Sequence, residues 1–143
     1  MSQDLEKLAE DSKERSPSIT KEFVSWTRIE VAVRTIADYV TAHTTGFRYV
    51  FGIPRGGLIP AVMLSHLLDI PLIMDQPILH VIDGPVLIID DIVDTGKVLN
   101  EYHACRGDHN MFVSIYSKPW AALQPDLSVW STENWIVFPW EVS

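Results

Sequence analysis

The run Val86 to Gly96 reads V-L-I-I-D-D-I-V-D-T-G. Four consecutive apolar residues with no polar alternation specify a strand buried on both faces, as in the parallel sheets of α/β folds. That strand is expected to end on two adjacent carboxylates, Asp90 and Asp91. A third acid, Asp94, follows in a short turn closing at Thr95-Gly96, where a helix can begin. Open α/β sheets bind ligands in the crevice beyond the carboxyl ends of their strands. A turn entering a helix there offers backbone N–H groups to a phosphate. Two acids beside such a cradle point to a ligand carrying both hydroxyls and phosphate, together with a divalent metal.

The other segments alternate in the way that such a sheet requires. Ile29, Val33, Ile36, Ala37 and Val40 recur at i, i+4, i+7, i+8 and i+11, which predicts an amphipathic helix from Trp26 to about His43, with Gly46 beyond it. Tyr49–Ile53 is a short β-rich run broken by Pro54-Arg55-Gly56-Gly57. Leu58 to Asp69 returns to helical spacing, with Pro60 admissible in the first turn. Pro71–Met74 and Ile78–Ile82 read as strands, and the Asp83-Gly84 turn leads into Pro85–Asp90. A helix is expected over Lys97–Ala104, then strands over Met111–Tyr116, Leu127–Trp130 and Trp135–Phe138. The fold class is α/β, a mostly parallel twisted sheet flanked by helices.

The 143 residues suit one domain with its own core. Residues 1–18 read as a polar extension and 19–143 as a single domain. The extension is unlike a secretory signal, and no apolar run reaches the length of a membrane span. Together with the single cysteine, Cys105, this leads to the expectation of a reducing cytoplasm. The formal charge of −8 argues against broad nucleic-acid binding while leaving room for a small phosphorylated ligand. His103, Cys105, Asp108 and His109 lie close together, but no second cluster completes a structural zinc spacing.

Phe51-Gly52-Ile53-Pro54-Arg55-Gly56-Gly57 forms a second strand-to-helix junction. Its glycines let the backbone approach an anion, and Arg55 supplies a forked donor for phosphate oxygens. With these residues in order, the chain resembles the type I phosphoribosyltransferases, and among them the 6-oxopurine branch. The resemblance runs from about Phe23 to Val142. It takes in Val24-Ser25-Trp26, Arg55-Gly56-Gly57-Leu58-Ile59-Pro60, the acidic run, Ser117-Lys118-Pro119, Trp135-Ile136 and Pro139-Trp140-Glu141.

The resemblance implies that fold, with a small C-terminal base-binding hood and a shortened flexible loop. It also implies transfer of ribose 5-phosphate from phosphoribosyl diphosphate to guanine, xanthine or hypoxanthine, with Mg²⁺ and in a homodimer or homotetramer. Asp90 and Asp91 would hold the ribose hydroxyls, Asp91 also positioning the metal. Asp94 would accept a proton near N7 of the base. The backbone of Asp94, Thr95, Gly96, Lys97 and Val98 would hold the 5′-phosphate, and Arg55 with Gly56 the diphosphate. Lys118 would donate to the exocyclic oxygen, Trp135 would stack on the ring, and the Ile136 backbone would read the C2 side. The chemistry suits these residue types: carboxylates face the positive charge that builds on the sugar, while a metal and Arg55 face the leaving diphosphate. A lysine donor favours an oxo over an amino group on the base.

Two departures stand out. The residues after Thr95-Gly96 are Lys97-Val98 in place of small, hydroxyl-bearing ones, which removes a donor to the phosphate. Lys97 either restores positive charge there or points to solvent. Leu72 to Val86 is short and contains no Lys or Arg, with His80 its only potential cation, where the family carries a long basic lid. Losing such a lid costs rate or admits water. Two alternatives follow: a phosphoribosyl-diphosphate sensor with little turnover, and a transferase with a different acceptor base. Trp120, Leu123 and Trp130 suit a subunit contact as well as a core.

Overall fold

The computed structural model describes residues 20–44, 46–102 and 109–142, with His80 in backbone only. They form two compact units, Trp26–Thr132 and a smaller one described over 20–25 and 133–142. The expected polar extension, and the metal cluster apart from His109, lie outside the described residues.

The larger unit is built on a five-stranded sheet in the order β3-β2-β4-β5-β6, and every neighbouring pair is parallel. Its strands are β2 (Tyr49–Gly52), β3 (Leu72–Ile73), β4 (Val86–Val93), β5 (Met111–Ser117) and β6 (Leu127–Ser131). Val86 to Ile89 in the central strand have no exposed surface, as their unbroken apolar run requires. Helix α1 (Trp26–His43) buries Ile29, Ala32, Val33, Ile36, Ala37 and Val40, the face expected from their spacing. It lies against α2 (Leu58–Leu68) and against β5 and β6, while α2 covers β2 and β4. Asp69 ends α2 in the left-handed region at φ 52°. The short α3 (Lys97–Glu101) delivers Leu99, with Tyr102 just beyond it, to a core cluster. There they meet a row of paired residues, Phe51, Ile88 and Phe112, that crosses three strands.

Three elements differ from expectation. Ile78–Ile82 is not a strand: Gln76–His80 forms a 3₁₀ turn with Pro77 near its start. Proline has no N–H for a ladder, and β3 beside it is an edge strand of two residues. Burial of Leu79 in the core cluster holds the turn in place. The central strand does not stop at Asp90 but continues to Val93, because β5 runs beside it and pairs Ser117 with Val93. The described part of α3 closes at Glu101, three residues short of the Ala104 expected.

The smaller unit contains a fourth difference, the strand β1 (Lys21–Phe23), which pairs in parallel with β7 (Trp135–Val137). Val24 N–H donates to Val137 O at 2.9 Å and Trp135 N–H to Thr20 O at 3.0 Å. Phe138 and Trp140 stack with centroids 4.9 Å apart.

Candidate active site

The site begins where the sheet loses a strand. β2 ends at Gly52, level with Ile89, and Ile53 N–H closes the ladder on Ile89 O at 2.9 Å. From Asp90 onward β4 has a strand neighbour on the β5 side only. Asp90 and Asp91 stand half-buried at this opening. Their side chains satisfy strand amides: Asp91 N–H donates to Asp90 Oδ1 at 2.8 Å, and Ile92 N–H to Asp91 Oδ1 at 2.7 Å. Among the described residues no lysine or arginine forms an ion pair with either acid. Burial, then the Asp91 charge, push the Asp90 carboxyl up to about 9. Burial raises Asp91 as well. Two adjacent acids that resist ionising together form a set of hard oxygen donors suited to a divalent cation or to sugar hydroxyls.

Across the opening lies the turn that leads into α2. Gly57 N–H donates to Ile53 O at 2.9 Å and Leu58 N–H to Arg55 O at 3.1 Å, and the Pro54–Arg55 peptide is cis. Gly56 is seated on the Asp91 carboxylate so closely that a Cβ would overlap its oxygens. Only glycine permits that approach. Arg55 is exposed.

The turn after β4 forms the rest of the cleft, which is lined by Ile53, Asp90, residues 92–99, Phe112 and Val113. Gly96 has φ +90°, and a Cβ there would lie 2.7 Å from the Leu123 backbone nitrogen. Ala122 N–H donates to Thr95 O at 2.9 Å, holding the turn from outside. Lys97 N–H donates to Thr95 Oγ1 at 3.2 Å, so this amide of the expected cradle has an internal partner. The Lys97 side chain points to solvent, and Val98 is exposed.

Lys118 follows β5. Its N–H donates to Val93 O at 2.8 Å, one residue before Asp94, and its side chain is buried. The larger unit thus brings together Arg55, Gly56, Asp90, Asp91, the 94–98 turn and Lys118. Trp135 and Ile136 belong to the smaller unit, the first exposed and the second buried. Two residues adjoin Lys118: Trp120, which the sequence reading gave to a subunit contact or the core, and Gln124, which it passed over. Trp120 has its ring centroid 5.2 Å from Lys118 Nζ, and Gln124 donates to Lys118 O at 3.0 Å. An aromatic residue two positions after a lysine is the only sequence signal for the first.

No family model matches the chain. In fold it is similar to a purine phosphoribosyltransferase from Pyrococcus horikoshii (TM-score 0.73, 32% identity, 86% of this chain and 95% of that one). Among proteins of known name, the xanthine-guanine phosphoribosyltransferase of Cereibacter sphaeroides is 32% identical over 156 residues, covering 92% of this chain and 93% of that protein. The protein of that name from Chromohalobacter salexigens is 29% identical, with 83% of each chain covered. A parallel sheet with this cleft therefore belongs to the phosphoribosyltransferase class of folds. Within it, the chain belongs to the xanthine–guanine phosphoribosyltransferase family.

Proposed function

We propose that the chain transfers ribose 5-phosphate from phosphoribosyl diphosphate to a ring nitrogen of guanine, xanthine or hypoxanthine, releasing diphosphate. The observation that carries this reading is the close seating of Gly56 on Asp91 at the open edge of β4. The loop bearing a guanidinium meets Asp91 there, and the neighbouring Asp90 lines the cleft with the 94–98 turn. A donor that has diphosphate at one end of a ribose and phosphate at the other matches that order of groups.

In this reading Arg55 and the Gly56 backbone hold the diphosphate, and Asp90 and Asp91 hold the ribose hydroxyls. The 94–98 turn receives the 5′-phosphate through Thr95 and its backbone N–H groups. Asp94 takes the proton released by the base, and Lys118 donates to its exocyclic oxygen. Trp135 and the Ile136 backbone are assigned to the purine by the family resemblance. The two carboxylates, which among the described residues have no lysine or arginine ion pair, fit a divalent metal, which we take to be Mg²⁺ with Asp91 as a ligand. Such an ion supplies countercharge to the departing diphosphate. The acids stabilise the positive charge that develops on the sugar. The family resemblance further supports a cytoplasmic homodimer or homotetramer, and light scattering measures the assembly. No described helix is long and apolar enough to cross a membrane.

The segment between β3 and β4 favours a second reading. It has no Lys or Arg and exposes Met74 and Val81, so it offers no guanidinium or ammonium to the leaving group. A phosphoribosyl-diphosphate sensor with little turnover fits that feature. Incubation with phosphoribosyl diphosphate, Mg²⁺ and a panel of bases separates the two. Nucleotide from 6-oxopurines supports transfer, saturable binding without product supports the sensor, and product from other bases alone reassigns the acceptor.

A further inference from the structure

We infer that Trp120 is a positioning residue for base selection, its indole face holding the Lys118 ammonium where the oxygen of a 6-oxopurine must meet it. The inference rests on the assignment of Lys118 to the base. Lys118 is buried, at 6% exposure, and its ammonium lies against the Trp120 ring. A ring face attracts a cation through its quadrupole and so restricts where the ammonium sits. The Trp120 centroid lies 5.2 Å from Nζ, within the range of such a contact.

Trp120 itself is 55% exposed, so core packing does not explain an indole at this place. The turn that carries it is tightly fixed. Ala121 N–H donates to Lys118 O at 3.2 Å, and the Gln124 side-chain amide donates to Lys118 O at 3.0 Å and to Ala121 O at 3.2 Å. The ring and the lysine are thus two positions of one braced turn. The same turn touches the phosphate side through Ala122 and Leu123, so the ammonium is held in a frame shared with the 94–98 segment.

Steady-state kinetics of Trp120→Leu and Trp120→Phe test this, with circular dichroism confirming the fold. Trp120→Leu should raise the KM for guanine about three- to tenfold and reduce the preference for guanine over adenine by a similar factor. The KM for phosphoribosyl diphosphate should stay within about twofold, and Trp120→Phe should recover most of the loss. Equal behaviour of the two variants, an unchanged guanine KM, or a parallel rise in the donor KM would overturn the inference. A second measurement needs no turnover: Lys118→Met should shift tryptophan emission in the wild-type background but not in Trp120→Phe. The same response in both backgrounds, or in neither, contradicts the pairing. If the wild-type protein makes no nucleotide from any 6-oxopurine, the transfer reading fails, while the emission test still decides whether Trp120 holds Lys118.

Discussion

Gly56 and Asp91 show how little freedom individual residues have at this site. A methyl at position 56 would overlap the Asp91 carboxylate, so Gly56→Ala must move either the loop or the acid. Overpacking of this kind costs about 1–3 kcal/mol. Because the loop is at the surface, the cost should fall on ligand geometry more than on folding. We expect the KM for phosphoribosyl diphosphate to rise about tenfold or more, with a thermal midpoint within a few degrees of wild type. Asp90 allows a test through pH. Its carboxyl titrates near 3.8 in an unfolded chain and near 9 in the fold. Between those values unfolding releases a proton, so this residue lowers stability progressively as pH rises. Asp90→Asn removes that dependence. Without metal, the midpoint of Asp90→Asn relative to wild type should be near zero at about pH 4 and grow until about pH 9. A difference that stays flat across that range contradicts the burial argument.

At the scale of elements, the site exists because β4 outlasts β2. The last β2 pairing joins Gly52 to Ile89, while β5 accompanies β4 to Val93, and the acids occupy the uncovered stretch. The long helices were legible because their buried residues recur with the helical period, and β4 because four apolar residues run without a break. The end of β4 was not legible, since it depends on where two distant strands stop. For the same reason the three-residue β1 escaped notice, its partner being more than a hundred positions away at Trp135–Val137. The 3₁₀ turn at Gln76–His80 was misread because Ile78, Leu79, Val81 and Ile82 have β propensity, while Pro77 and the lack of a neighbouring strand decided otherwise. Helix α3 supports a prediction of its own. Val98 is 44% exposed in its first turn, so a hydroxyl there would meet no burial cost. Val98→Thr should lower the KM for phosphoribosyl diphosphate by about three- to tenfold, the worth of one hydrogen bond. Titration by calorimetry or kinetics measures it, and an unchanged KM would remove this turn from phosphate binding.

For the molecule as a whole, most candidate residues were legible because the chain concentrates them at strand-to-helix junctions, where an α/β sheet presents ligands. The larger unit gathers Arg55, Gly56, the acids, the 94–98 turn and Lys118. What the sequence could not convey was the turn from Lys118 to Gln124, which links the lysine to the 94–98 turn through contacts with Val93, Thr95 and Gly96. Family membership, the acid pair and that link all point to one reaction. The most direct test is to mix the full chain with phosphoribosyl diphosphate and Mg²⁺, add guanine, xanthine, hypoxanthine or adenine separately, and measure nucleoside monophosphate and diphosphate together. The expected result is equimolar nucleotide and diphosphate from at least one 6-oxopurine, much less from adenine, and none of either after chelation of the metal. Saturable binding of phosphoribosyl diphosphate with no nucleotide from any base would contradict it.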